Sequence, residues 1–210
     1  MSFPFLSDLD NFFCEEYANY DKLCVLDGYK MPVMQRTITK EDGRAYSYTL
    51  PASTMRLADQ ENKAKLLVML KEKMQDRTVS FSFYPIAFFA RMKQAFQKEC
   101  FYKFWKEIVS NKKIDVKQLL DDLTITKEVY TNVEKGKWLP SKNLVLSIAL
   151  MAGLSLEETT KMLALCGETW DFTYEKDVVT VYLLRQKVFN KEMIKAAFDE
   201  YKVRNLFIKF

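Results

Sequence analysis

Residues 114–136 read IDVKQLLDDLTITKEVYTNVEKG, and this stretch decides the predicted fold. Asp115 is a suitable N-cap for a short helix that runs through Leu123. Thr126 is a suitable N-cap for a second helix, and Gly136 lies where a helix commonly ends. Because only a brief turn separates the two helices, they must cross steeply. The stretch therefore predicts a helix-turn-helix, whose apolar seam comprises Leu119, Leu120, Leu123, Ile125, Val129, Tyr130 and Val133.

The residues around this stretch also have helical periodicity. Residues 86–98 and 99–111 are rich in aromatic and basic side chains. Ser155 is a suitable N-cap for a further helix that has Glu157 and Glu158 in its first turn. We therefore predict a helical domain over residues 85–210, with its helix-turn-helix core at 114–136. Apolar residues at three- and four-residue spacing are predicted to face the core, namely Phe88, Phe89, Met92, Phe96, Phe104, Trp105 and Ile108.

The pattern of residues 1–84 predicts a small α+β unit of unknown role. Residues 6–20 have an amphipathic helical pattern with Ser7 as the expected N-cap, and residues 33–49 alternate as a β-hairpin does. A long helix is expected over 53–75, and an extended segment over 78–85. The predicted fold class is mostly α, and α+β overall.

The composition argues against most enzyme classes. Among 210 residues there is no histidine, only five glycines and four scattered cysteines without a CxxC pair. The chain thus lacks the commonest general base and metal ligand, and it contains no phosphate-binding glycine motif. Adjacent carboxylates such as Glu157 and Glu158 point to different helix faces. We therefore expect a non-catalytic protein with no catalytic residues, no metal site and no cofactor.

The positive charge is concentrated in the middle of the chain. The formal net charge is only +4, yet residues 91–113 hold seven basic and two acidic side chains. A solvated helix face and a binding stripe both explain this cluster. The first ten residues lack the pattern of a signal peptide, and the longest uncharged run, residues 143–156, is 14 residues long. Since a spanning helix needs about 20 apolar residues, we expect a cytoplasmic protein without a membrane partner.

Residues 99–168 resemble the Cro/lambda-repressor (XRE) family of helix-turn-helix domains. The resemblance rests on the string ITxxxYxxVEKGKxxPS at residues 125–141, followed by Ile148-Ala149 and by GLSLEE at residues 153–158. It implies a homodimer that binds double-stranded DNA, with the second helix in the major groove and half-sites about 34 Å apart. The DNA-binding residues that it implies are Thr126, Lys127, Thr131, Asn132, Lys135, Lys137 and Lys142.

This sequence departs from the family pattern at several positions. Val116 stands where the family usually has a glutamine, Leu120 replaces a small residue, and Thr124 replaces the glycine of the turn. Glu128 and the pair Asp121 and Asp122 add negative charge near the expected groove. Because phosphate neutralisation supplies much of the affinity for DNA, these acids favour a different use of the fold.

Residues 101–207 are also similar to a helix-turn-helix-derived module appended to bacterial proteins of the macrodomain type. That resemblance implies no activity, and it implies packing or protein binding as readily as DNA binding. Two functions therefore stay open: a DNA-binding transcriptional regulator of bacterial or phage type, and a protein-interaction or scaffold module that does not bind DNA.

Overall fold

The computed structural model describes residues 4–13, 35–39, 45–49, 67–68, 83–97, 99–172 and 174–210. The chain forms two compact units, Met1–Gln75 and Asp76–Phe210. Helices dominate the described residues and two short antiparallel sheets accompany them, so the predicted fold class is confirmed. Within the described residues, no helix combines the length and the apolar character needed to cross a bilayer.

The first unit begins with helix α1, Phe5–Phe12. Pro4 occupies the N-cap position, so the prediction that Ser7 caps this helix is wrong. The fixed φ of proline suits the start of a helix, which explains why α1 begins before the serine. Leu9 and Phe13 are fully buried, so α1 packs through one apolar side.

The predicted hairpin of the first unit is confirmed. Strands β1, Gln35–Thr39, and β2, Ala45–Thr49, pair antiparallel. The hydroxyl groups of Thr37 and Ser47, which are partners in the register, lie 2.9 Å apart. The predicted turn at 41–43 lies outside the described residues, as does the predicted helix over 53–75 except for residues 67–68, which are helical.

The second unit holds two strands and eight helices among its described residues. In chain order these are β3 Phe83–Pro85, α2 Phe88–Phe96, α3 Phe101–Lys112, α4 Val116–Asp122, α5 Lys127–Glu134, β4 Trp138–Pro140, α6 Lys142–Met151, α7 Leu156–Leu165, α8 Glu175–Arg185 and α9 Lys191–Glu200.

Strand β3 connects the start of the second unit to the residues that follow α5. It pairs antiparallel with β4, with Tyr84 opposite Leu139. Just beyond the strand, the Ile86 amide donates a 2.9 Å hydrogen bond to the Lys137 carbonyl. The extended segment predicted over 78–85 is thus strand at 83–85, and residues 78–82 lie outside the described residues.

Helices α6 and α8 form the centre of the core. Residues 143–150 and 175–184 are buried on all sides, so these helices are not amphipathic in the usual sense. Helices α4 and α7 pack on α6, α9 packs on α8, and α3 packs on both α5 and α7. Helices α4 and α5 therefore rest on a well-packed support.

The prediction that the aromatic stripe of residues 86–98 belongs to the core is wrong for α2. Phe88, Phe89, Met92 and Phe96 are all exposed. The same prediction is confirmed for Trp105 and Ile108 of α3, which are buried. Phe104 of α3 is half-buried. Helical periodicity sorts side chains onto faces but does not specify what covers the apolar face, and this ambiguity accounts for the error.

Candidate nucleic-acid interface

Helix α4 begins and ends where the sequence predicts. The Asp115 carboxylate accepts hydrogen bonds from the amides of Lys117, at 2.9 Å, and Gln118, at 3.1 Å. At the other end Leu123 adopts an extended conformation and is buried. Asp115 thus gives hydrogen-bond partners to two amides that lack partners within the helix. This cap stabilises the N-terminus of α4.

The turn after α4 is paired with the C-terminal residues of the chain. Leu123 forms an antiparallel bridge with Ile208, and the Thr124 amide donates a 2.7 Å hydrogen bond to the Phe207 carbonyl. The Lys209 amide donates to the Asp122 carbonyl at 2.9 Å. This pairing could not be predicted from the sequence, because a short segment such as residues 207–209 carries no local signal for its partner.

Helix α5 is oriented by a buried hydrogen bond. Its N-cap Thr126 accepts a hydrogen bond from the Val129 amide, and Tyr130 and Val133 are buried. The Tyr130 hydroxyl accepts a 2.8 Å hydrogen bond from the indole Nε1 of Trp105 on α3. Burial raises the pKa of Tyr130, the Trp105 hydrogen bond opposes that rise, and the nearby Glu134 carboxylate adds to it. The phenol therefore stays neutral and holds α5 in one rotation about its axis.

Gly136 ends α5 as predicted and sets the path of the following chain. Its φ is +64°, and its amide donates to the Val133 carbonyl at 2.9 Å. A Cβ atom at this position would lie 2.6 Å from Cδ1 of Tyr102. The next amide, of Lys137, donates to the Asn132 carbonyl at 2.8 Å. The left-handed backbone conformation and the close approach of the Tyr102 ring therefore both favour glycine at this position.

Six of the seven predicted DNA-binding residues lie on α5 or at its ends. Thr126, Lys127, Lys135 and Lys137 are exposed, whereas Thr131 and Asn132 are half-buried. At about 100° per residue, the positions from Lys127 to Lys135 span an arc of about 140° opposite Tyr130 and Val133. The structure thus brings these side chains together on the solvent side of α5.

The polar side chains of Thr131 and Asn132 fold back onto their own helix. The Thr131 hydroxyl donates to the Lys127 carbonyl at 2.8 Å, and the Asn132 side-chain amide donates to the Glu128 carbonyl at 3.2 Å. Such bonds are local and exposed, so a ligand would exchange them at small cost.

The seventh predicted residue, Lys142, lies apart from this group. Its ammonium forms an ion pair with Asp177 of α8, which is fully buried, and donates to the Thr169 carbonyl at 2.6 Å. Burial raises the pKa of Asp177, and Lys142 is the main influence that lowers it. We therefore assign Lys142 a role in the core and omit it from the candidate interface.

The acidic residues near α5 differ in how they are compensated. Glu128 and Asp121 are exposed. Asp122 pairs with Lys191 of α9 and also accepts a 3.0 Å hydrogen bond from the Gln118 side chain. The sequence predicts Asp122 to be an unfavourable charge, but its partner Lys191 lies 69 residues away and compensates it.

No family model, curated protein or solved structure matches this chain. In the described part of the chain, no group of three or more cysteine, aspartate or glutamate side chains is arranged to hold a metal ion.

Proposed function

We propose that this chain is a non-catalytic DNA-binding protein in which α5 enters the major groove. The observation that carries the proposal is the division of α5 into two sides. Tyr130 and Val133 anchor the buried side, while Lys127, Thr131, Asn132 and Lys135 share the solvent side. A short helix that projects polar and cationic side chains from a rigid support matches the geometry of major-groove readers.

The charges around α5 supply the attraction to phosphate. Lys127, Lys135 and Lys137 are exposed at the two ends of the helix. Glu128 and Asp121 oppose them, whereas Lys191 compensates Asp122. The half-buried Glu134 opposes the lysines as well, so attraction to phosphate rests on a few lysine contacts, and affinity for DNA would fall as salt is added.

The roles within the interface follow from the side chains. Lys127 and Asn132 would contact base edges, since lysine suits guanine and the asparagine amide suits adenine. Thr131 would exchange its bond to the Lys127 carbonyl for a base or phosphate contact. Lys135 and Lys137 would hold the phosphate backbone where α5 ends.

A transcriptional regulator of bacterial or phage type is the protein that would use such a helix. Such regulators act in the cytoplasm, and two protomers read half-sites about 34 Å apart. A homodimer of this chain is therefore part of the proposal.

A gel shift with charge-reversal variants tests the proposal. The probe is a pool of duplexes with a random central segment, incubated with the full chain at about 50 mM salt. Lys127→Glu and Lys137→Glu should abolish the shift, whereas Lys106→Glu, which alters an exposed lysine on α3, should preserve it. A shift that both variants leave intact would reject the role of α5.

A protein-interaction module that does not bind DNA is the second candidate. The exposed carboxylates of Glu128 and Asp121 favour it, because Glu128 lies within the same solvent-facing arc of α5 as Lys127 and Lys135. The same gel shift separates the candidates: wild-type protein that fails to shift any duplex at about 50 mM salt supports the second one.

A further inference from the structure

Helix α2 exposes an unusual amount of apolar surface. The exposed fractions of its four large apolar residues are 65% for Phe88, 83% for Phe89, 51% for Met92 and 87% for Phe96. Single exposed apolar side chains are common, but a contiguous group of this kind marks an interaction site.

The four side chains form one ridge. Phe88, Met92 and Phe96 follow each other at four-residue spacing, and Phe89 lies beside them. At about 100° per residue the set covers an arc of only about 100°. The rings of Phe88 and Phe89 meet edge to face, with centroids 5.9 Å apart. The ridge projects from the helix, which suits insertion into a soft apolar medium.

Basic side chains border this ridge, and acidic ones are absent from it. Arg91 and Lys93 fall on either side of the apolar arc by the same helical geometry. The sequence contains no acidic residue between Asp76 and Glu99. The surface therefore combines an apolar strip with positive flanks.

The start of α2 is fixed to the rest of the second unit. Tyr84 of β3 is paired with Leu139 of β4, and the Ile86 amide bonds to the Lys137 carbonyl two residues before the helix begins. The ridge is thus attached to the core that supports α5.

We propose that α2 binds the surface of an anionic lipid bilayer, which departs from the sequence-based expectation of no membrane partner. Phe88, Phe89 and Phe96 enter the boundary between headgroups and acyl chains, and Arg91 and Lys93 pair with lipid phosphates. Short helices with this division of aromatic and basic side chains lie in the membrane interface. A second copy of the chain fits less well, because it would bring the cations of both helices together. The proposal concerns α2 and does not depend on DNA binding by α5.

Vesicle sedimentation with the full chain tests the proposal. Vesicles of phosphatidylcholine containing about one quarter phosphatidylglycerol should bind the wild-type protein, and vesicles of phosphatidylcholine alone should bind it much less. The double variant Phe89→Ser/Phe96→Ser should lose at least about tenfold in affinity, since each phenylalanine contributes apolar area. The double variant Arg91→Glu/Lys93→Glu should lose the preference for the anionic vesicles.

Two controls separate the ridge from general surface effects. Lys106→Glu removes an exposed positive charge on α3, and Phe210→Ser removes a C-terminal phenylalanine that is 51% exposed. Both variants should bind the anionic vesicles as the wild type does. Phe89, Phe96 and Lys93 are exposed and Arg91 is half-buried, so the α2 variants should keep a thermal midpoint close to that of the wild type.

Three results would overturn the proposal. The first is a wild-type protein that fails to bind the anionic vesicles. The second is binding that Phe89→Ser/Phe96→Ser leaves unchanged. The third is a concentration-dependent dimer, seen in sedimentation velocity and lost in that variant without any vesicle binding, which would assign the ridge to a second copy of the chain.

Discussion

The indole of Trp105 and the hydroxyl of Tyr130 form a 2.8 Å hydrogen bond that joins α3 to the buried side of α5. Trp105 is 1% exposed and Tyr130 is 7% exposed, so water does not replace either partner readily. This contact fixes which side of α5 faces the solvent. The proposed function depends on that orientation.

Removing one partner of this bond should destabilise the protein. Tyr130→Phe leaves the indole N–H buried without its acceptor, so we expect the free energy of unfolding to fall by about 1–3 kcal/mol. Urea unfolding of Trp105→Phe, Tyr130→Phe and the double variant should give a coupling energy of about 1 kcal/mol. Additive single effects would show that the bond does not hold α5.

Gly136→Ala should be more harmful than Gly167→Ala. Both glycines have positive φ, +64° and +76°, so each alanine introduces backbone strain of about 1 kcal/mol or more. Only at Gly136 would the new Cβ collide with a ring, that of Tyr102; at Gly167 no described atom lies within 4 Å of it.

The difference between the two midpoints in thermal unfolding isolates the collision with Tyr102. We expect the Gly136→Ala protein to melt at the lower temperature. Equal midpoints would contradict the close approach of Tyr102 to the end of α5.

Lys142→Met should destabilise the protein in a pH-dependent way. Burial already raises the pKa of Asp177, and losing the opposing lysine should raise it further. A raised pKa means that the folded state binds more protons than the unfolded state between the two pKa values. The free energy of unfolding therefore falls as the pH rises through that window.

The expected loss for Lys142→Met is about 3–5 kcal/mol at neutral pH, because Asp177 is then buried without its main counter-ion. The loss should shrink towards about pH 4, where the carboxyl takes up a proton. Lys195→Met is the control, since it breaks an exposed pair with Asp199 that contributes less than about 1 kcal/mol. A loss for Lys142→Met that is the same at both pH values would contradict this account.

Cys166 should react slowly in the folded protein. Burial, with a smaller effect from Glu168, raises the pKa of its thiol to about 12, so little thiolate is present at about pH 8.5. Peptide-resolved alkylation with iodoacetamide should be at least about a hundredfold slower than in the urea-unfolded chain. Equal rates would contradict the raised pKa of this half-buried thiol at the end of α7.

Local signals allowed much of the fold to be predicted from the sequence. Asp115, Thr126 and Ser155 cap the helices that they were expected to cap, and Gly136 adopts the left-handed backbone expected at a helix end. Capping depends on side chains within three residues, so the sequence contains the necessary information. Ser7 fails because a nearby proline begins the helix earlier.

Contacts between distant residues could not be predicted in this way. Lys142 pairs with Asp177 and Asp122 with Lys191, and no periodicity links either pair. The pairing of Leu123 with Ile208 is equally remote in sequence. These contacts changed the candidate site most, because they moved Lys142 into the core and compensated Asp122.

The salt dependence of DNA binding tests the central claim most directly. Fluorescence anisotropy with a labelled duplex, from about 50 to 200 mM salt, gives the slope of log affinity against log salt. Two phosphate contacts, by Lys135 and Lys137, predict a slope of about −1.8 per protomer, and Lys137→Gln should reduce its magnitude by about 0.9. A wild-type protein that does not bind at about 50 mM salt, or a slope that Lys135→Gln and Lys137→Gln leave unchanged, would contradict the account.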